Sequence, residues 1–256
     1  MTSPVVFHAV EISLPDGTAE AYFAHPDEGA RHPGLLFYPD AFGLRPWLRE
    51  MVETIAAHGY AVLAPNIFYR SGRAPVLPMP DFSEPDAHEK FFAALAPIRE
   101  VLTPDKAMQD AHGYLTWLSG NELVAPGALA TTGYCMGGRL ALRTAATFGA
   151  QVAAAASFHG GFLAADDRPD SPHHNAADIT AELFVAHADH DSSMPPEQIA
   201  HLEQALDKAG VRYTSVTYPD AAHGFTMRDT PVYQEDAYQR HLHDLLALLG
   251  RAFAPE

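Results

Sequence analysis

The stretch Thr131-Thr132-Gly133-Tyr134-Cys135-Met136-Gly137-Gly138 constrains the fold more than any other part of the chain. An apolar run, Ala128-Leu129-Ala130, leads into it, and a run with helical character, Arg139 to Ala146, leads out. A strand that turns into a helix over so few residues brings backbone against backbone. Gly133 and Gly137, two positions before and two after Cys135, remove side chains that would collide there. The residue at the apex takes a strained conformation, and the helix start offers free N–H groups and the positive end of a dipole. Both favour a thiolate and a developing oxyanion. A lone Cys is ordinarily a small buried apolar residue. Here the glycines and the strand-to-helix switch favour a nucleophile elbow.

The rest of the chain alternates strand and helix around this point. Val5 to Ile12 and Ala19 to Ala24 read as strands joined across Pro15-Asp16-Gly17, a hairpin signal. Gly34 to Tyr38 and Tyr60 to Ala64 are short continuous apolar runs, as in strands buried on both faces. Between them Trp47 to His58 has helical spacing, with Pro46 ahead and Gly59 behind. Thr103-Pro104-Asp105 opens a helix that runs through Trp117-Leu118. Strands over Val152 to Phe158, Leu183 to His187 and Tyr213 to Tyr218 follow, with helices over Pro196 to Ala209 and Tyr233 to Phe253. This pattern implies an α/β protein: a mostly parallel sheet with an antiparallel N-terminal hairpin and helices on both faces. A single domain over residues 1–256 is expected, since 47% hydrophobic content at this length supports one sizeable core. One segment resists the pattern. Residues 71–104 hold Pro75, Pro78, Pro80, Pro85 and Pro97, with a short helix expected only over Glu89 to Leu95. An excursion this long in a compact domain points to a cover over the active site.

Composition excludes several classes of partner. The formal net charge of −16 argues against nucleic acid and anionic membranes. No apolar run reaches membrane-spanning length, and Met1 to Val5 opens no signal-peptide pattern. One Cys permits no internal disulfide, so a cytoplasmic protein is expected, a monomer or small homo-oligomer.

In a parallel sheet, reactive groups gather in loops beyond the carboxyl ends of the strands. Four such loops carry them here: Asp40 to Phe42, Cys135, Asp189 to Asp191, and His223. The order nucleophile, acid, histidine is that of α/β-hydrolases. In that chemistry the thiolate attacks a carbonyl, the imidazole carries the proton and activates water, and the carboxylate holds the imidazole. The oxyanion donors then fall at the backbone N–H of Met136 and of Ala41. Asp191 and Asp189 share one loop, and either reaches the ring. His187-Ala188-Asp189-His190-Asp191 is a poor metal site, since side chains diverge at a strand-to-loop corner. No metal is expected there. His173-His174 is read as solvated and His159 as a structural residue at the site's edge.

Gly-Tyr-Cys135-Met-Gly-Gly, Asp191-Ser-Ser-Met-Pro and Ala-His223-Gly-Phe resemble the dienelactone hydrolase family, as do Asp40-Ala-Phe-Gly and Ala-Pro-Asn-Ile-Phe-Tyr-Arg70. The resemblance covers roughly Leu14 to Leu249. It implies an α/β-hydrolase fold with little or no cap domain, a Cys-His-Asp triad, and hydrolysis of an ester or enol-lactone without cofactor. It places Asp191 in the acid position. It also puts Asp40 where a family carboxylate hydrogen-bonds the resting thiol, and Arg70 where a family Arg receives a substrate carboxylate. A second family Arg is displaced by one position, to Arg228, with Met227 in its place. Asp40 as a plain helix-entry residue is the alternative. Phe42 and Tyr134, beside the oxyanion loop and the Cys, are expected to contact substrate. The small-molecule ester or lactone hydrolase is weighed against a broader carboxylesterase or thioesterase. It is also weighed against a binding protein or redox-sensing thiol on the same fold.

Overall fold

A computed structural model describes residues 3–254. Eight strands form one sheet: β1 (Val5–Leu14), β2 (Gly17–Pro26), β3 (Gly34–Tyr38), β4 (Ala61–Pro65), β5 (Leu129–Tyr134), β6 (Val152–Phe158), β7 (Glu182–His190) and β8 (Tyr213–Ala222). Their spatial order is β1-β2-β4-β3-β5-β6-β7-β8. The β1–β2 and β2–β4 pairs are antiparallel and the remaining pairs are parallel. The hairpin closes with Leu14 opposite Gly17, so Pro15-Asp16 forms the turn.

Strand β3 shows why its sequence is apolar throughout. Every residue of Gly34–Tyr38 is buried. Successive side chains face opposite layers, so Leu35 and Phe37 join one core and Leu36 and Tyr38 the other. The first layer holds α1 (Pro46–Ala56) and α6 (Glu235–Ala252), through Leu48, Met51, Leu245 and Leu249. The second holds α3 (Pro104–Gly120), α4 (Met136–Phe148) and α5 (Pro196–Ala209), through Leu115, Leu118, Leu142 and Leu202.

Local signals set most of the helix ends. Thr103 Oγ1 accepts the Lys106 N–H at 3.3 Å, capping α3 as its sequence suggests. Helix α5 occupies the expected range and stops at Gly210, which takes the left-handed conformation with φ of 69°. The remaining helix, α2 (Ala87–Val101), is the main departure. It runs well beyond the expected Glu89 to Leu95 and contains Pro97. Pro97 denies a donor to the Ala93 carbonyl, but both residues are exposed, so water serves that carbonyl instead. Phe91 and Leu95 bury the inner side of α2.

The chain moves from β3 to β4 on one side and to β5 on the other. That reversal opens a crevice beyond the carboxyl ends of β3 and β5, the usual ligand site of such sheets. The elbow stands at its edge.

Candidate active site

Cys135 sits between β5 and α4 with φ of 56° and ψ of −122°. Such a conformation costs about 1–3 kcal/mol and persists only where its surroundings over-determine it. Here they do. A Cβ on Gly133 would fall on the Gly137 carbonyl, and one on Gly137 would fall on the Tyr38 and Pro39 carbonyls. The ends of β3 and β5 and the start of α4 therefore pack backbone on backbone. The Cys135 N–H is shared between Phe158 O and His159 Nδ1, each at 3.2 Å.

His223 follows β8, and Asp191 follows β7. Asp191 Oδ2 lies 2.6 Å from His223 Nδ1. Its other oxygen accepts the Ser193 N–H at 2.8 Å and the Ser193 hydroxyl at 2.6 Å, so both oxygens are held. Burial alone disfavours an imidazolium at His223, but the neighbouring Cys135 and the Asp191 carboxylate outweigh it and raise the pKa well above the ordinary histidine value. Burial likewise opposes the Asp191 anion, and the hydrogen bonds from His223 and Ser193 prevail, holding its pKa low. Asp189 is exposed and accepts the Asp220 N–H at 3.2 Å, away from the ring.

Met136 is the first residue of α4, so its N–H is among those a helix leaves without an intrahelical partner. The Ala41 N–H is bonded to no protein acceptor among the described residues. Ala41 and Cys135 line both cavities that meet at the elbow, and Met136 lines the larger. These cavities measure about 370 and 200 Å³. His88 and Phe92 of α2, both within residues 71–104, line both.

Three expected site residues lie elsewhere or are otherwise engaged. Arg70 lines neither cavity. Its guanidinium grips Asp110 with two bonds of 2.6 and 2.8 Å and reaches Asp16 at 2.8 Å, tying the segment after β4 to α3 and the hairpin turn. Tyr134 is fully buried in the α1–α6 layer, with its hydroxyl 2.8 Å from His241 Nε2. It sits one residue before the apex, where strand alternation turns it to the far face. Asp40 does border the smaller cavity, but its carboxylate is not free to hold the thiol. Both oxygens pair with Arg45 at 2.7 and 3.0 Å, and one also accepts the Phe42 N–H at 3.1 Å. Arg45 in turn pairs with Asp229 at 2.6 Å. Phe42 lines the smaller cavity. Arg228 lies over the Trp47 ring and pairs with Glu50 at 3.3 Å.

Other residues of the site went unread in sequence. Ser193 props the carboxylate, a role foreshadowed only by its place two residues after an Asp. His159 is fully buried, and desolvation holds it neutral. With Nδ1 accepting from Cys135, its Nε2–H donates to Thr226 Oγ1 at 2.8 Å, and its ring stands 5.3 Å from that of His223. Arg99 and Arg139 line the larger cavity. Arg139 Nε is 2.9 Å from Asp170, an ion pair too bent for a hydrogen bond. Arg99 pairs with no carboxylate among the described residues. His173 is buried rather than solvated, with Nε2 at 3.2 Å from Asp166. Of the residues His187 to Asp191, His187 is buried 3.2 Å from Ser215 and Asp191 faces His223, while Asp189 and His190 come together with Asp220 at the surface.

Comparison with known proteins identifies the family. The profile of the Dienelactone hydrolase family matches residues 19–253. A Salmonella typhi protein named as a carboxymethylenebutenolidase is 31% identical over 231 residues, covering 87% of this chain and 80% of the relative. A Bradyrhizobium protein named as a 2-oxo-3-(5-oxofuran-2-ylidene)propanoate lactonase is 24% identical over 97% of this chain and 95% of its own. Among solved structures, a dienelactone hydrolase-like promiscuous phosphotriesterase from metagenomic libraries superposes with a TM-score of 0.76 at 23% identity, over 98% of this chain and 99% of that one. The fold is that of α/β-hydrolases, no described helix is long and apolar enough to cross a membrane, and the chain belongs to the dienelactone hydrolase family, hydrolases of lactone or ester substrates.

Proposed function

We propose that the chain hydrolyses a carboxylic ester or lactone through an acyl-thioenzyme at Cys135. The Asp191–His223 bond of 2.6 Å, beside the elbow and at the junction of both cavities, carries this reading. The Cys135 sulfur attacks the carbonyl carbon. The C=O π pair moves to oxygen, where the N–H groups of Ala41 and Met136 receive it. On collapse the C–O bond to the alcohol breaks, and His223 gives its proton to that oxygen. His223 then takes a proton from water as the water attacks the thioester, and the thiolate leaves. A raised His223 pKa suits it to hold the proton until the alkoxide departs. In a lactone the alcohol remains tethered, and the product is a hydroxy acid, or from an enol lactone an enol acid that tautomerises to the keto acid.

The engagement of Arg70 with Asp110 and Asp16 favours a broader ester specificity over one built on that arginine. Incubation with a small aryl ester tests the chemistry. Wild-type protein is expected to show turnover and a mass increment of one acyl group on Cys135, and Cys135→Ala neither. Asp191→Asn is expected to lose roughly 10²–10⁴-fold in kcat, because the imidazole loses its orienting partner. Asp189→Asn should stay within about threefold. Turnover undiminished in Cys135→Ala defeats the proposal.

A further inference from the structure

The two cavities that meet at Cys135 differ in chemistry. The larger carries two arginines, Arg99 and Arg139. The smaller is walled by Phe42, Phe82, Phe92, Met227, Pro231 and Val232. Polar groups do border the smaller lobe, but apart from the Ala41 N–H and His223, which face the reacting carbonyl in the hydrolase reading, the protein already uses them. Asp40 is held by Arg45 and the Phe42 N–H. His159 spends both nitrogens, on the Cys135 N–H and on Thr226. The Thr230 hydroxyl donates to the Met227 carbonyl at 2.8 Å, and Met227 sulfur lies 3.3 Å from Arg45 Nη2. His88, at the rim, is exposed and stacks on Phe92 with ring centroids 4.5 Å apart. A polar substituent entering this lobe would lose its water and find little in exchange.

Size narrows the choice further. An apolar cavity of about 150 Å³ is enough to hold a benzene ring. The lobe, at about 200 Å³, has room for one ring and none for a long chain. Its walls also suit a ring. Phe42 and Phe82 meet edge to face, with centroids 6.0 Å apart and planes at 82°, so a third ring finds both a face and an edge. Resting on the hydrolase reading above, we propose that the substrate carries one aromatic or compact alkyl group, seated in this lobe while the ester carbonyl lies at Cys135. Phe82 and Phe92 come from the Pro-rich excursion, so that segment supplies two of the six apolar residues of the wall.

Two pairs of esters test this. The first pair is the methyl and 2-phenylethyl esters of one acid, whose alcohols are of similar acidity. The second is a propanoate and a 3-phenylpropanoate of one alcohol. In at least one pair the phenyl member is expected to have a kcat/KM tenfold or more above its partner, expressed in KM, as burial of a ring-sized group implies. Val232→Asp places a charge on the wall at a position 37% exposed, where water still reaches the new carboxylate and the fold tolerates it. That change is expected to reduce the phenyl preference about tenfold, and Phe82→Ala, which opens the wall, to reduce it severalfold. Cys135-dependent turnover with a preference under about threefold in both pairs overturns the lobe assignment and leaves the hydrolase reading standing. A preference unmoved in both variants overturns it as well. Absence of Cys135-dependent turnover on any ester overturns the hydrolase reading, and this one with it.

Discussion

Replacing Arg45 with Met is expected to destabilise the protein severely, and the damage traces to Asp40. The side chains of Arg45 and Asp40 are each 3% exposed, whereas Asp229, the third member, is 30% exposed. Removal of the guanidinium returns Asp229 to water at a cost of about 0–1 kcal/mol, as for a surface pair. Asp40 has no such recourse. It keeps one hydrogen bond, from the Phe42 N–H, and otherwise stands as an unpaired buried charge. Breaking a buried pair in this way costs about 3–5 kcal/mol. For a domain of this size that lowers Tm by roughly 6–20 °C. Asp40→Asn removes the stranded charge while retaining an acceptor for the Phe42 N–H. In the Arg45→Met background it is expected to recover about 2 kcal/mol or more. Urea unfolding of the wild type, both single variants and the double variant closes the cycle. Costs that add to within about 0.5 kcal/mol would mean that Asp40 and Arg45 do not depend on each other, and the argument fails.

The arginines separate by a substrate comparison. Arg99→Gln is expected to lower kcat/KM about tenfold on a lactone bearing a carboxylate and to spare a neutral lactone, because Arg99 faces the larger cavity without an acidic partner. Arg70→Ala should leave that preference intact and cost about 3–5 kcal/mol in urea unfolding, since Asp110, 2% exposed, loses its main partner. A changed carboxylate preference in Arg70→Ala would contradict its placement outside the cavity. Acid lability should follow from buried imidazoles. Burial holds His187 and His241 at about 4, below the ordinary 6.5, so they are neutral in the folded protein where the unfolded chain binds protons. Between those values stability therefore falls as pH falls, by about 2.7 kcal/mol per pH unit for the two together. The raised His223 has the opposite sign: its contribution is complete below 6.5 and is lost as pH rises through its folded value. Unfolding midpoints at pH 7, 6 and 5 check the slope, and His187→Gln should lower it by up to about 1.4 kcal/mol per pH unit.

The layered fold was legible because its signals are local. Helix α5 lies between Pro196 and Gly210, and both the proline start and the left-handed stop are properties of single residues. The elbow was legible for the same reason, since Gly133 and Gly137 answer to contacts within a few residues of Cys135 and one neighbouring strand end. Helix α2 was misread because Pro97 breaks a helix only if the carbonyl it strands is also denied water, and the sequence does not show which face is wet. The arginines were misread for a deeper reason. Arg70 finds Asp110 forty residues on, and Asp40 is claimed by an Arg45 that itself reaches Asp229. A charged side chain's partner is a tertiary fact, and resemblance at a motif transfers a residue's identity without its neighbours. Tyr134 shows the limit of adjacency: one step along a strand from the Cys moves a side chain to the opposite layer.

The crowding around the elbow divides its residues into two kinds. Gly133 and Gly137 abut backbone wherever a Cβ would project, so any larger residue there forces the frame apart. Cys135, by contrast, borders both open cavities. The site is thus a socket with one exchangeable part. Cys135→Ser would leave the backbone frame in place and change only the atom presented, so a different side-chain chemistry at this apex is a single substitution away, whereas the frame around it is fixed by backbone contacts.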